Sequence, residues 1–306
     1  MSMRPVKRHV SARPTIEGAG VSLHRAFGFG DSNETDPFLL FDDFRNDDPA
    51  QYINGFPWHP HRGIETITYV LAGTVEHGDS LGNRGSLGAG DVQWMTAGSG
   101  IVHQEMPRGD TAGRMHGFQL WANLPADKKM VAPRYQDIPG DEIPEVVEDD
   151  GTRVRVVTGA FWGAVGPVEG IAADPRYLDI SVPPLRERAI KVETNRNAFA
   201  YVFAGSGTFR DASSPSRAPT EYVDEFGTTD ALPAHPAENR TLVLFDTGDE
   251  IRVRAGEEGM RFLLVSGEPL REPVAWHGPI VMNTHEELRR AFDELQRGDF
   301  LKHASR

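Results

Sequence analysis

Two short phrases, YVLAG at 69–73 and YVFAG at 201–205, constrain this chain most. Each closes a run of β-branched and aromatic residues on Ala-Gly. A second matching pair follows: GDVQWMTAG at 90–98 and GDEIRVRAG at 248–256. The two pairs are offset by 132 and 158 residues, so the second half carries a longer insertion, the polar stretch RDASSPSRAPTEYVDEFGTTDALPAHPAE at 210–238. Two copies of one β unit are the economical explanation. Other runs, RVRVVTG, RTLVLFDTG and RFLLVSG, are equally short and end in turn residues, the pattern of a sandwich or barrel. Helical patterning is scarce. Its clear instance is NTHEELRRAFDELQRGDF, where Thr284 and Glu287 form a capping box. Leu288, Ala291, Phe292 and Leu295 follow at helical spacing and Gly298 is the stop, so this stripe should dock on a sheet. The acidic, proline-punctuated segment 127–151 reads as the connection between the halves.

Composition narrows the chemistry. The 306 residues suffice for one large or two medium domains. Lys and Arg number 32 against 45 Asp and Glu, a net charge of −13, which argues against direct nucleic-acid binding. Cysteine is absent, so a metal must sit on His, Asp or Glu. The start lacks the apolar core of a secretory signal, and no apolar run approaches the ~20 residues of a membrane span. A cytoplasmic protein without membrane contact is expected.

The stretch FPWHPHRGIETITYVLAG sets His59 and His61 one residue apart at the mouth of a strand. If residues 59–70 are extended, His59, His61, Gly63, Glu65, Ile67 and Tyr69 share one face. Pro60 stiffens the approach. A second pair, His103 and Glu105, follows the glycine-rich turn AGSG. Three neutral imidazoles and one carboxylate suit a first-row divalent metal. A lone H-x-H is more often a surface or core pair, but the H-x-E pair shifts the balance. The repeat shifts it further: at its offsets His59 and His61 correspond to Lys191 and Glu193, and His103 and Glu105 to Arg261 and Leu263. One site, in the N-terminal half, is expected. Glu65 could reach the ion or orient an imidazole. His77 is expected in a surface hairpin, and His116 in the core rather than at the pocket.

Together, HPHRG, EHGDSLGNRG and GDVQWMTAGSGIVHQEMP resemble the metal-binding core of the pirin family, within the cupin superfamily. The resemblance continues more weakly through the second half and the NTHEEL helix. It implies an all-β chain of two jelly-roll-like cupin β-barrels with a C-terminal helix. The expected segments are a metal-binding cupin over 1–135, a ligand-free cupin over 136–275 and a helical tail over 276–306. The family motif places its ligands at His59, His61, His103 and Glu105, around one divalent ion, Fe(II) being expected, with Glu65 outside the set. Pirin-like proteins are associated with quercetin 2,3-dioxygenase activity. The resemblance therefore implies a small aromatic substrate and O2, opening of the flavonol heterocycle with loss of carbon monoxide, and Glu105 as the base for the 3-hydroxyl proton. Phe56, Trp58, Trp94, Met95 and Met106 are candidates for packing that substrate. The 210–238 loop, if it reached the pocket, would alter substrate preference. The alternative is a regulator whose metal oxidation state tunes docking to a transcription factor or metabolic enzyme; an acidic chain fits a basic partner. A purely structural metal is disfavoured, because four protein ligands leave two positions open.

Overall fold

The computed structural model describes residues 2–210 and 236–303. Most of the 210–238 loop therefore lies outside the described residues, and so does any approach it makes to the pocket.

Twelve strands precede residue 139. They are β1 (Val6–Ser11), β2 (Arg13–Glu17), β3 (Val21–Phe27), β4 (Phe38–Asp43), β5 (Phe56–His61), β6 (Ile64–Ala72), β7 (Thr74–Asp79), β8 (Arg84–Leu87), β9 (Val92–Thr96), β10 (Ile101–Arg108), β11 (His116–Asn123) and β12 (Arg134–Ile138). The chain is mostly β, forms two cupin domains and, among the described residues, carries one long helix, near the C-terminus. It divides into two compact units that are discontinuous in sequence. One comprises Ala12–Pro144, Val156–Arg176 and Gly267–Arg306; the other Met1–Ser11, Glu145–Arg155 and Tyr177–Ser266. The expected divisions at 135 and 275 are divisions of sequence; in space the segment from Gly267 onward belongs with the histidine-bearing strands.

In that first unit a seven-stranded sheet runs β12-β9-β6-β11-β4-β3-β2, and a four-stranded sheet runs β5-β10-β7-β8. Gly63 separates β5 from β6 with φ of +77°, a left-handed conformation that favours glycine. A Cβ here would fall 1.9 Å from the Val281 carbonyl oxygen. The chain consequently leaves one sheet at His61 and enters the other at Ile64. The expected continuous extended run over 59–70 is thus broken, and the face assignment built on it changes.

The second unit is built on a nine-stranded sheet. In each unit the two repeat strands are sheet neighbours: β6 beside β9, and Asn197–Phe209 beside Glu250–Gly267. The adjacency is shared but the register is not: Tyr69 faces Val92 in the first unit, whereas in the second the Arg210 N–H bonds the Arg252 carbonyl and Glu250–Arg254 pairs with Glu187–Lys191.

The C-terminal segment forms a hairpin, Ala275–His277 with Ile280–Met282, and then the helix His285–Arg297. Thr284 Oγ1 accepts from the Glu287 N–H, the Glu287 carboxylate accepts from the Thr284 N–H, and Gly298 closes the helix at φ +79°. Leu288 and Ala291, with Phe292 and Leu295 beside them, pack on Ala275, Ile280 and Met282 of the hairpin. Ionic and polar bonds fasten this segment to the turn after β5. Arg62 donates to Glu294 at 2.7 Å and to the Phe300 carbonyl at 2.7 Å. Lys129 Nζ donates to Gly63 O (2.9 Å), Asn123 Oδ1 (2.7 Å) and Val281 O (3.0 Å). Among the described residues, no helix is long and apolar enough to cross a membrane.

Candidate metal centre and its cavity

β5 and β10 run antiparallel with His103 opposite His59. His61, two residues further along β5, projects to the same side because strand side chains alternate. Three imidazoles consequently gather. Ring centroids lie 4.4 Å apart for His59 and His103, 4.8 Å for His59 and His61, and 5.0 Å for His61 and His103. One ring nitrogen from each lies within 4.8 Å of the others.

Hydrogen-bond partners fix two tautomers. His59 Nδ1 lies 2.8 Å from Pro57 O, and His61 Nδ1 lies 3.2 Å from Pro279 O. A carbonyl only accepts, so each Nδ1 carries a proton, and in the neutral ring Nε2 is then the free lone pair. Those two Nε2 atoms face each other at 3.1 Å. Facing lone pairs repel unless an electrophile sits between them. Two donors bonded at about 2.1 Å to one ion, at a right angle, stand about 3 Å apart. Both nitrogens of His103 are buried without a hydrogen-bond partner, which is costly for a group with no role to offset it. Burial, with His59 alongside, lowers the His61 pKa to about 3. Burial and the neighbouring imidazoles likewise hold His103 well below the ordinary range. Rings kept neutral at physiological pH are what a divalent metal needs, so these residues fit a bound ion.

Glu105 stands outside the tight three-imidazole group. It lies opposite Phe56 on one side and His77 on the other. Burial raises its pKa, while His59 and a hydrogen bond from Thr68 pull it down. Thr68 Oγ1 lies 3.2 Å from Glu105 Oε1 and 2.8 Å from the Gln119 side-chain oxygen. A hydroxyl carries one proton. With that proton given to the carboxylate, Gln119 in its flipped orientation offers an N–H to the Thr68 oxygen.

Glu65 serves another place. With the strand broken at Gly63, the residues of β6 that face the imidazoles include Thr68, and Glu65, Ile67 and Tyr69 point to the opposite side. Glu65 is buried there and accepts from Thr96 Oγ1 at 2.8 Å. It neither reaches the imidazoles nor orients one.

His77 does lie on a hairpin, β7 with β8, but its ring is not at the surface. It is buried on β7, stacked on Tyr135 (centroids 5.6 Å, 17°), with Nε2 3.6 Å from Asp137 Oδ2. Gly85 lies directly across on β8, where a Cβ would come within 2.5 Å of the His77 ring. The missing side chain at Gly85 is what admits the imidazole. His116 bonds Asp47 at 2.7 Å at the start of β11, part-exposed and away from the core.

His59, His61 and Glu105 line one end of a cavity of about 540 Å³. Of the five apolar candidates only Phe56 borders it; Trp58 is exposed, and Trp94 and Met95 are core. The aromatic wall comes instead from Trp121, Trp276 and Phe29. Trp121 shares its strand face with Gln119, a signal that alternation along β11 could have supplied. Trp276 has no local signal; it arrives with the C-terminal hairpin.

At the position corresponding to His103 in the repeat, Arg261 donates to both oxygens of Asp179, at 2.9 and 2.6 Å. Among the described residues, the histidine trio is the sole cluster suited to a metal. Fold and site together define a two-cupin protein with one candidate metal centre, in its first cupin. This chain belongs to the pirin family: the Pirin family model matches residues 20–122, and the model of the pirin C-terminal cupin domain matches 177–301. A pirin-like protein of Caulobacter vibrioides is 44% identical over 301 residues, covering 98% of this chain and 100% of its own length. Human pirin is 37% identical over 292 residues, 95% of this chain and 91% of its own. The crystal structure of quercetin 2,3-dioxygenase from Acinetobacter baumannii superposes with a TM-score of 0.84 at 29% identity, covering 97% of this chain and 98% of that one.

Proposed function

We propose that this protein is a metal-dependent dioxygenase that cleaves flavonols such as quercetin, with His59, His61, His103 and Glu105 as ligands of one divalent ion, Fe(II) on this reading. The observation that carries it is the facing of the His59 and His61 Nε2 atoms at 3.1 Å, beside an unpartnered His103, at one end of an aromatic-lined cavity. A solved structural neighbour carries the quercetin 2,3-dioxygenase name.

The bound ion would supply a Lewis-acidic, redox-capable centre beside which a phenolate and dioxygen can meet. The chain's own residues do the rest. The cavity walls hold the planar substrate and exclude water. Glu105 accepts the proton of the flavonol 3-hydroxyl, and the Thr68 hydroxyl holds that carboxylate at the position where it can do so. The Pro57 and Pro279 carbonyls keep His59 and His61 in the tautomer that directs Nε2 inward. Overall, both atoms of dioxygen enter the ring-opened product and carbon monoxide leaves.

The test is oxygen uptake by iron-loaded protein with quercetin, with carbon monoxide measured alongside. Uptake in equal amounts of flavonol and oxygen is expected, and its loss in His61→Ala together with the metal. Loaded protein that consumes no oxygen with any flavonol or related catechol sinks the reading and leaves the regulatory alternative.

A further inference from the structure

A polar row crosses the seven-stranded sheet on the face that borders the cavity. Arg25, Asp42, Gln119 and Thr68 are successive cross-strand partners on β3, β4, β11 and β6. All four line the cavity. At the Thr68 end the row meets Glu105. At the other end Arg25 donates to both Asp42 oxygens, at 2.8 and 2.7 Å, and pairs with Glu17 at 2.8 Å. Three strand spacings separate the ends, about 14 Å. One cation set against two carboxylates leaves that far end net negative. Stability does not call for it, because a buried ion pair costs desolvation that an apolar lining avoids.

An aromatic line runs beside the row. Trp121 lies two residues from Gln119 on the same face of β11, about 7 Å away. Its ring stands 5.0 Å from His61 and 6.1 Å from Trp276, which in turn stands 5.4 Å from the exposed Phe29. A flat molecule held against Trp121 would therefore lie beside the polar row. The cavity is thus a slot with an aromatic side and a polar side, and the polar side carries hydrogen-bond acceptors at both ends.

Resting on the flavonol reading above, we propose that Asp42, held by Arg25, is a specificity-determining residue that accepts a hydrogen bond from a phenolic hydroxyl on the substrate ring farthest from the imidazoles. Each carboxylate oxygen has two acceptor sites. Arg25 occupies one on each, and the remaining sites are open to a donor. The slot therefore selects extended polyphenols hydroxylated at both ends over those hydroxylated only at the metal-proximal end. A hydrogen bond to an ionised acceptor makes this preference about tenfold to a hundredfold.

The test is an anaerobic titration, read by quenching of tryptophan fluorescence, with two flavonols that differ only in the presence of hydroxyls on the pendant phenyl ring. Wild-type protein is expected to bind the hydroxylated flavonol about tenfold or more tighter. Asp42→Asn, which keeps one acceptor oxygen but loses the charge, should narrow the ratio about threefold or more while leaving affinity for the unsubstituted flavonol in place. Should Asp42→Asn not fold, Arg25→Lys, which gives up the two-point hold on Asp42, should narrow the ratio about threefold or more. Equal wild-type affinities, binding of neither flavonol, or a ratio untouched in a folded variant overturns the proposal. Oxygen uptake separates it from the function: selective binding without uptake keeps the Asp42 role and removes the dioxygenase, whereas equal affinities with uptake do the reverse.

Discussion

At Gly63 one absent Cβ allows His61 and Glu65 to serve opposite sides of the fold. The position combines φ of +77° with a carbonyl 1.9 Å from where a Cβ would stand. Gly63→Ala is expected to cost about 2 kcal/mol or more. A thermal melt should show it, together with weaker metal retention; an unchanged melting temperature would contradict the assignment. Thr68→Val is the milder probe. It keeps the shape and removes the hydroxyl beside Glu105. Turnover of flavonol should fall by about tenfold with little change in Tm, and unchanged turnover would show that Thr68 does not position the carboxylate. The residue scale is also where the sequence is most informative and most misleading. H-x-H and H-x-E mark β5 and β10, the two strands that pair at the site, since a spacing of two is itself a statement about one strand face. The same parity rule fails for Glu65, because it assumes a strand that Gly63 interrupts. The hairpin expected around His77 is present, but Gly85 across from it makes room for a buried ring that the local sequence does not announce.

The C-terminal helix shows what local pattern can and cannot convey. Its cap, stripe and stop are all local, and all are legible in the order of residues alone. What it holds is not local: Arg62 reaches Glu294 across 232 positions, and His61 Nδ1 meets Pro279 across 218. Burial pushes the Glu294 pKa up, but hydrogen bonds from Lys302 and Arg62 outweigh it and hold the carboxyl down to about 2, against an ordinary 4.5. A depressed folded-state pKa gives stability that is present above 4.5 and lost as pH falls toward 2. Chemical denaturation across that window should reveal a loss on the order of 3 kcal/mol at most from this group. Glu294→Gln should be less stable at neutral pH and flatter below pH 4.5; a variant with the wild-type acid profile would contradict the linkage.

For the whole molecule, duplication is legible in YVLAG and YVFAG, and the fold sets each in a strand beside its second repeat strand, though in different registers. The asymmetry of the copies is legible too: where one has His103 the other has Arg261, which binds Asp179. The discontinuous make-up of the units is not, because no short-range pattern says that a hairpin near residue 280 will complete a cavity begun near residue 59. The aromatic wall from Trp276 escapes sequence reasoning for the same reason.

The convergence of three imidazoles on one point is most directly tested by counting metal. Protein loaded anaerobically with Fe(II), desalted and assayed for iron should hold one ion per chain. His103→Ala should hold close to none, and His77→Ala, whose ring stands outside the trio, should still hold one. Two ions per chain, none in the wild type, or full occupancy in His103→Ala would contradict the account.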